Sequence, residues 1–392
     1  MRTSLIWGLA LCVQALATPP PLTFDDLRAL AKPDPHLVRA EADLAARSRL
    51  LAATGGVLRE GPTVVAEAGR RSSPFQASTD KVAQVEAPLL LAPGLRKEAV
   101  LNLEKSGAST LALARAEGRL RLRSAYLEAW EGQAQLRLRQ DQLGLLRSWR
   151  EVARARVESG SDPAYQGDLV QGELLRQQTE LGMAQRRAAE SWAALRNLAE
   201  LPPDPRELAD PGPAALPDPA HLSAAFQAGL LRRALQEQQR LDRSSFELQQ
   251  ALRGSRLSLR GSYSAEGDER VTRFGIALRL PRSGELQALG RERETGKAAL
   301  RVEAEATERN LVSRFQVALE RLKSFGEESG PTDFAASLAA VDLRLKEGKE
   351  RPSDALALRR QLLEARFSAL QRRREAHALA AEIEHLCTGV PR

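Results

Sequence analysis

The stretch from Arg256 to Ala265, RLSLRGSYSA, alternates strictly, and Val271 to Leu280, VTRFGIALRL, does so again. In the first, Leu257, Leu259, Gly261, Tyr263 and Ala265 fall on one side, and Arg256, Ser258, Arg260, Ser262 and Ser264 on the other. In the second, Thr272, Phe274, Ile276, Leu278 and Leu280 oppose Val271, Arg273, Gly275, Ala277 and Arg279. A period of two belongs to a strand, whose side chains point alternately to opposite faces. Glu266-Gly267-Asp268-Glu269 between them is a polar turn. Each run has the length of a tilted membrane-spanning strand, about ten residues. A half-buried soluble hairpin produces the same alternation. On the barrel reading, Arg256, Arg260, Arg273 and Arg279 face a lumen.

A second, less regular pair precedes it. Thr63 to Ser72 and Lys81 to Leu91 are candidate strands joined by Ser73 to Asp80. Val64, Ala66 and Ala68 alternate with Thr63, Val65 and Glu67; Val85, Ala87 and Leu89 alternate with Gln84, Glu86 and Pro88.

Around both pairs the chain reads as long helices. Ala, Leu, Arg, Glu and Gln dominate, and aromatic residues make up only 4% of the 392, a composition of packed helices rather than of a mixed core. Leu138, Leu145 and Val152 step by seven with Trp149 on the same side, and Leu358, Ala365, Leu379 and Leu386 follow the same spacing later, broken by Arg372. Such a repeat predicts helices packed in coiled-coil fashion. Leu201 to His221 carries seven prolines and reads as a linker between two copies of one plan. Gly61 and Gly254, and Pro88 and Pro281, are both 193 apart; Gly160 and Gly348 are 188 apart. Leu174, Leu181, Ala188 and Leu195 fall 188 before Leu362, Ala369, Ala376 and Ile383. The expected organisation is therefore a leader at 1–17, a first repeat at 18–200, a linker at 201–221 and a second repeat at 222–389. Gly326 to Pro331 should interrupt the second long helix.

The N-terminus reads as a secretory signal: Arg2, an apolar run from Leu5 to Val13, and the cleavage site Ala15-Leu16-Ala17. Leu9-Ala10-Leu11-Cys12 also resembles a lipoprotein box, but Leu11 is large where a small residue is expected, which favours ordinary cleavage. Cleavage leaves Cys387 as the only thiol, too few for an intrachain disulfide. No apolar run beyond the leader approaches the roughly 20 residues of a spanning helix, so strands must do any crossing.

The net charge of +7 is spread over many helical faces rather than gathered into a nucleic-acid patch. His36, His221, His377 and His385 are scattered, and the last two are eight apart, beyond the i, i+4 spacing of helical metal ligands. No nucleotide loop or nucleophile elbow is present. Carboxylates lie mostly beside Lys or Arg, as on solvated helix faces. The expectation is a protein without enzymatic activity, cofactor or bound metal.

Two copies of helix, hairpin, long helix, turn and helix behind a leader resemble the TolC-like outer-membrane efflux family. The likeness covers nearly the whole chain past the leader. It includes the strand-to-helix junctions, with Pro88 and Pro281 followed by Gly94 and Gly284. It also includes the Gly-then-Asp tips, Gly348 to Asp354 and, two residues longer with Pro163 inside, Gly160 to Asp168. The sequence departs from the family at Leu90, where an aromatic is usual, and at Pro281-Arg282-Ser283. The resemblance implies a mainly α fold of long antiparallel coiled-coil helices, an α-barrel, with four transmembrane strands per chain. Three chains would make a trimeric 12-stranded β-barrel. It implies an outer-membrane exit duct with a large periplasmic part, in a Gram-negative-type envelope. The implied partners are an inner-membrane pump and a periplasmic adaptor that meets Gly160, Asp168, Gly348 and Asp354. Cargo and pump class are left open. A periplasmic coiled-coil scaffold or adaptor is the alternative reading.

Overall fold

The computed structural model describes residues 20–53, 61–72, 77–89, 93–215, 217–253, 256–266, 269–280, 282–326 and 334–387. The expected leader with Cys12, Leu90, Leu91, Gly254, Pro281 and residues 327–333 lie outside the described residues.

One order of elements occurs twice. The first half has α1 (Phe24–Ala29), α2 (Pro35–Ala53), β1 (Thr63–Ser72), β2 (Ala77–Leu89), α3 (Pro93–Glu158) and α4 (Ala164–Leu198). The second has α5 (Pro219–Gln227), α6 (Leu230–Arg253), β3 (Arg256–Glu266), β4 (Glu269–Arg279), α7 (Ser283–Gly326), α8 (Phe334–Lys346) and α9 (Pro352–Cys387). α3 is one continuous helix of 66 residues, whereas α7 and α8 together stand in its place. The fold is mainly helical with one antiparallel sheet, ordered β1-β2-β3-β4.

β1 has the bounds read from its alternation. β2 begins at Ala77, four residues before Lys81, and ends at Leu89. Ala77 to Asp80 carry no apolar alternation, but they continue the ladder opposite Ser72 to Gly69. Cross-strand hydrogen bonding, rather than side-chain pattern, extends the strand there.

By contacts the chain forms two compact units, each drawing on both halves of the sequence. The first comprises 1–32, 122–214 and 331–375; the second comprises 33–121, 215–330 and 376–392.

In the first unit, Leu146, Trp149, Val170, Leu345 and Ala355 centre a core shared by α3, α4, α8 and α9. The seam differs from the expected heptads. Leu138 is buried, but Leu145 is only partly buried, and the central stripe of α3 is Leu146, Trp149 and Ala153. On α9, Leu358 is exposed, and the buried stripe runs through Ala355, Leu356, Arg359 and Leu363. A guanidinium therefore occupies an interior position that the seven-residue count assigned to the neighbouring leucine.

The proline-rich segment is not a free linker in this unit. Gln133 Nε2 donates to the Arg206 carbonyl at 2.8 Å, Tyr126 Oη to that of Ala209 at 2.6 Å, and Arg373 Nε to that of Gly212 at 2.6 Å. Burial, with Asp210 and Asp26 nearby, pushes the Tyr126 hydroxyl up to about 12, so it stays a donor. The N-terminal arm adds an edge: Leu22 N donates to Glu207 O and Ala209 N to Leu22 O, both at 2.9 Å. Prolines cannot extend a helix, but their neighbours' carbonyls accept readily, and the segment becomes a strap.

The second unit holds the sheet and its own core. Phe226 and Phe315 stack with ring centroids 4.1 Å apart, among Leu311, Leu322, Leu379, Ile383 and Leu386. Gly107 on α3 lies directly under Leu44 of α2, and Gly296 on α7 under the Phe246 ring of α6. Each glycine admits a large side chain where a Cβ would collide.

Candidate functional site

Three places carry the candidate residues: the sheet, the strand-to-helix junctions and the two helix reversals.

The register of the sheet sorts every strand onto the same two faces. Val64 pairs with Val85, Ala87 with Leu259, and Leu259 with Ile276. Since side chains directly opposite share a face, Val64, Ala66, Ala83, Val85, Ala87, Leu257, Leu259, Phe274, Ile276 and Leu278 line one side. This side is solvent-facing in the single chain, with Phe274 87% and Ile276 72% exposed. Gly261 lies against the Phe274 ring across β3 and β4. The outer edges of β1 and β4 have no partner strand among the described residues.

The opposite face carries the candidate arginines. Arg256 pairs with Arg279, Arg260 with Gly275 and Glu86, and Arg273 with Ser262. Arg260 is partly neutralised, its Nη2 lying 3.2 Å from Glu86. Glu67, Asp80 and Glu269 share this face towards the strand connections at 73–76 and 267–268. The four candidate arginines thus lie towards the end next to the helices, with Glu86 among them, and Glu67, Asp80 and Glu269 lie further towards the other end.

At the junctions, Pro88 is the penultimate residue of β2 and pairs with Ser258. Gly94 and Gly284 are each the second residue of a long helix. Neither has positive φ, and nothing within 4 Å would meet an added Cβ. Arg282 N donates to Glu285 Oε2 at 3.1 Å, capping α7.

The reversals are built alike. Gly160 and Gly348 have φ of +74° and +72°. Gly160 N donates to Val157 O and Ser161 N to Arg156 O; Gly348 N donates to Leu345 O and Lys349 N to Arg344 O. Both are Schellman ends, in which a left-handed glycine lets the last carbonyls find donors. Arg156 grips Asp162, Nε to Oδ2 at 2.8 Å, and the matching Arg344 lies 3.8 Å from Glu350. These two pairs were missed in the sequence; the shared six-residue spacing across each glycine was the available signal. The two reversals also bind each other. Arg156 Nη1 donates to Glu350 O at 3.0 Å, and Ser353 N donates to Gln166 Oε1 at 3.0 Å.

Asp354 is the third residue of α9, in its first turn rather than at its cap, and its Oδ1 accepts from Ser353 Oγ at 3.2 Å. Asp168 is the fifth residue of α4 and exposed. The position matching Asp354, again 188 residues earlier, is the buried Gln166, not Asp168.

Deeper in this unit lies a buried ionic cluster on α3, α4 and α9. Arg359 donates through Nε to Gln142 Oε1 at 2.9 Å and through Nη1 to Glu173 Oε1 at 3.2 Å. Arg360 reaches the other oxygen of Glu173 at 2.5 Å. Burial works to raise the Glu173 carboxyl, but Arg360, Arg359 and Arg176 together hold it below its ordinary value. Burial pulls the Arg359 guanidinium down to about 10, so it remains charged at neutral pH.

Among the described residues no group of three or more His, Cys, Asp or Glu is placed to hold a metal, and no helix is long and apolar enough to cross a membrane.

No protein-family model matches the chain, and no curated protein does. Solved structures do. The outer-membrane channel OprN matches with a TM-score of 0.72 at 19% identity, over 94% of this chain and 91% of that one. The Campylobacter jejuni CmeC outer membrane channel matches with a TM-score of 0.75 at 12% identity, over 93% and 85%. The open state of the Neisseria gonorrhoeae MtrE outer membrane channel matches with a TM-score of 0.69 at 16% identity, over 93% and 89%. Over nearly its full length, this chain has the fold of outer-membrane channels.

Proposed function

We propose that the chain is one subunit of an outer-membrane exit channel, with its sheet in the membrane and its helices forming a periplasmic conduit. The observation that carries this reading is the sheet: four strands in one register, an exposed apolar face, and two edges unpaired among the described residues. Four strands are too few to close a barrel, since the smallest single-chain barrels use about eight. Three copies joined edge to edge supply twelve, remove every open edge, and turn the apolar face to lipid. Exposed Tyr165, Leu169, Leu343 and Leu358 near the reversals offer further surface for neighbouring copies or partners.

In this reading the arginine-bearing face lines the lumen. The reversals around Gly160 and Gly348 dock a periplasmic adaptor, which couples the channel to an inner-membrane pump. Membrane fractionation tests the proposal against a periplasmic scaffold. A channel stays in the detergent-extracted outer membrane as a heat-modifiable oligomer; release of the full chain into soluble periplasm sinks the proposal.

A further inference from the structure

The apolar face of the sheet ends in a row of different chemistry. Lys81 pairs with Ala265, and Ala265 with Arg270, so the register places the two cations in one row, flanking an alanine. Both belong to the apolar face by alternation: Lys81 precedes Ala83 and Val85 by even steps, and Arg270 precedes Thr272 and Phe274 likewise. Both are exposed, and among the described residues neither makes an ion pair. The nearby carboxylates Asp80 and Glu269 point to the opposite face, because each is one residue away along its strand.

Two features set the level of this row. Tyr263, one row inward, pairs with Thr272 and is the kind of amphipathic ring that prefers a membrane–water boundary. Leu280, the last apolar residue of the face, lies ten residues from Arg270. At about 3.4 Å per residue and a tilt of about 40°, that separation rises about 26 Å, close to the height of a barrel's apolar band. Lys81 and Arg270 therefore stand at the headgroup level, at the end of the sheet away from the helices. Their backbones are two strand spacings apart, about 10 Å, close enough for both side chains to converge on one anionic group.

We infer that Lys81 and Arg270 form a lipid-facing site for the phosphate of a net-anionic membrane-lipid headgroup. The inference rests on the barrel reading above and adds to it a place and a ligand chemistry. Anionic headgroup phosphates complement two unpaired cations, and each such contact near an anionic surface is worth a measurable increment of affinity.

The test is a lipid titration of the detergent-extracted full chain by native mass spectrometry, with lipid A, phosphatidylglycerol and phosphatidylcholine as probes. In the Lys81→Gln/Arg270→Gln variant, binding of the two net-anionic lipids should weaken about fivefold per charge removed. Phosphatidylcholine binding should not change. Lys81→Arg/Arg270→Lys should bind as the wild type does. Arg256→Gln/Arg279→Gln, which removes the same charge from the other face, should also leave lipid binding intact. Loss of lipid A alone assigns the site to a diphosphorylated headgroup; loss of both anionic lipids, with phosphatidylcholine unchanged, assigns it to net-anionic phosphate headgroups in general. Equal binding by all variants, or equal loss in both double glutamine variants, overturns the inference. So does displacement of the lipid by millimolar inorganic phosphate. A wild-type chain that needs no detergent for extraction overturns the channel reading instead, and does so before any lipid is added.

Discussion

Arg359 of α9 is wholly buried and donates to Glu173 of α4 at 3.2 Å, while Gln142 of α3 accepts from its Nε. Three helices are thus fastened by one buried guanidinium. Removing one partner of such a pair leaves an uncompensated interior charge. Glu173→Gln should therefore destabilise the fold by about 3–5 kcal/mol in denaturant unfolding. Replacing both Glu173 and Arg359 with apolar residues of similar volume should recover much of that loss. A double variant as weak as the single one would show that the loss does not come from a stranded Arg359 charge.

The same carboxylate gives a pH signature. Its folded pKa lies below the ordinary value of 4.5. The stabilisation it brings is therefore complete above that value and is lost as pH falls through the folded pKa. Glu173→Gln should flatten the acid limb of the stability profile below about pH 4.5 and leave the neutral-to-alkaline slope unchanged. An identical acid limb in both proteins would assign it to other carboxylates.

Gly296 and Gly290 make a matched pair on α7. Gly296 sits under the Phe246 ring, whereas nothing within 4 Å would meet a Cβ at Gly290. Gly290→Ala should stabilise by roughly 0.5–1 kcal/mol through helix propensity. Gly296→Val should destabilise, by about 1–3 kcal/mol, because the aromatic ring must move. Melting temperatures that shift in the same direction for both would refute the close approach.

How much of this was legible in the sequence depended on the range of the interaction. Alternation in Arg256 to Ala265 and Val271 to Leu280 marks β3 and β4 because each strand's two faces meet different surroundings. Gly160 and Gly348 are legible because a helix end with positive φ selects glycine locally. The Glu173–Arg359 pair was not legible. Its members are 186 residues apart, and both types normally mark solvated faces. Counting sevens put Leu358 in the interior, since the count cannot detect a buried charge satisfied from two other helices. The start of β2 was hidden for a similar reason, because its first residues are held by the ladder to β1. Prolines in 201–214 correctly excluded a helix, but they said nothing about the donors on α3 and α9 that fasten the strap.

The two faces of the sheet should respond differently to one added charge. Ile276 is 72% exposed on the apolar face, and Ile276→Arg should cost about 2–4 kcal/mol if it lies near the bilayer midplane. Ser264, on the other face opposite Val271 and Val82, should accept arginine at little cost. Ser258 is a poor control for this comparison, being only 6% exposed. Heat-modifiability of the extracted oligomer reads the difference, and equal tolerance at both positions would remove the barrel reading.

Charge along the polar face should set ion preference. Arg256 and Arg279 are directly opposite one another, with no carboxylate in their row among the described residues. In a symmetric assembly they recur as a ring of positive charge. The wild-type channel should favour anions in planar bilayers. Arg256→Gln/Arg279→Gln should move the reversal potential in a salt gradient towards cations, and Glu67→Gln/Glu269→Gln towards anions. Reversal potentials that stay fixed in both variants would place this face away from the conducting path.

The reversals give the sharpest separation of structure from coupling. Gly348 has a φ of +72° and nothing within 4 Å of its Cβ direction. A substitution there is strained by backbone conformation alone and not by crowding. A β-branched residue is the least tolerant of that region. Gly348→Val should therefore distort the Schellman end of α8 and displace the Arg344–Glu350 pair, with Lys349 no longer reaching the Arg344 carbonyl. The apolar core around Trp149 and Leu345 lies further inside the same unit and should persist. If the reversals dock an adaptor, efflux should fail while the oligomer still accumulates in the outer membrane. Drug or metal susceptibility is then compared with oligomer abundance in the same cells. Increased susceptibility at normal abundance supports docking through this reversal. Unchanged susceptibility at normal abundance would reduce Gly348 to an ordinary helix stop and move the docking surface elsewhere.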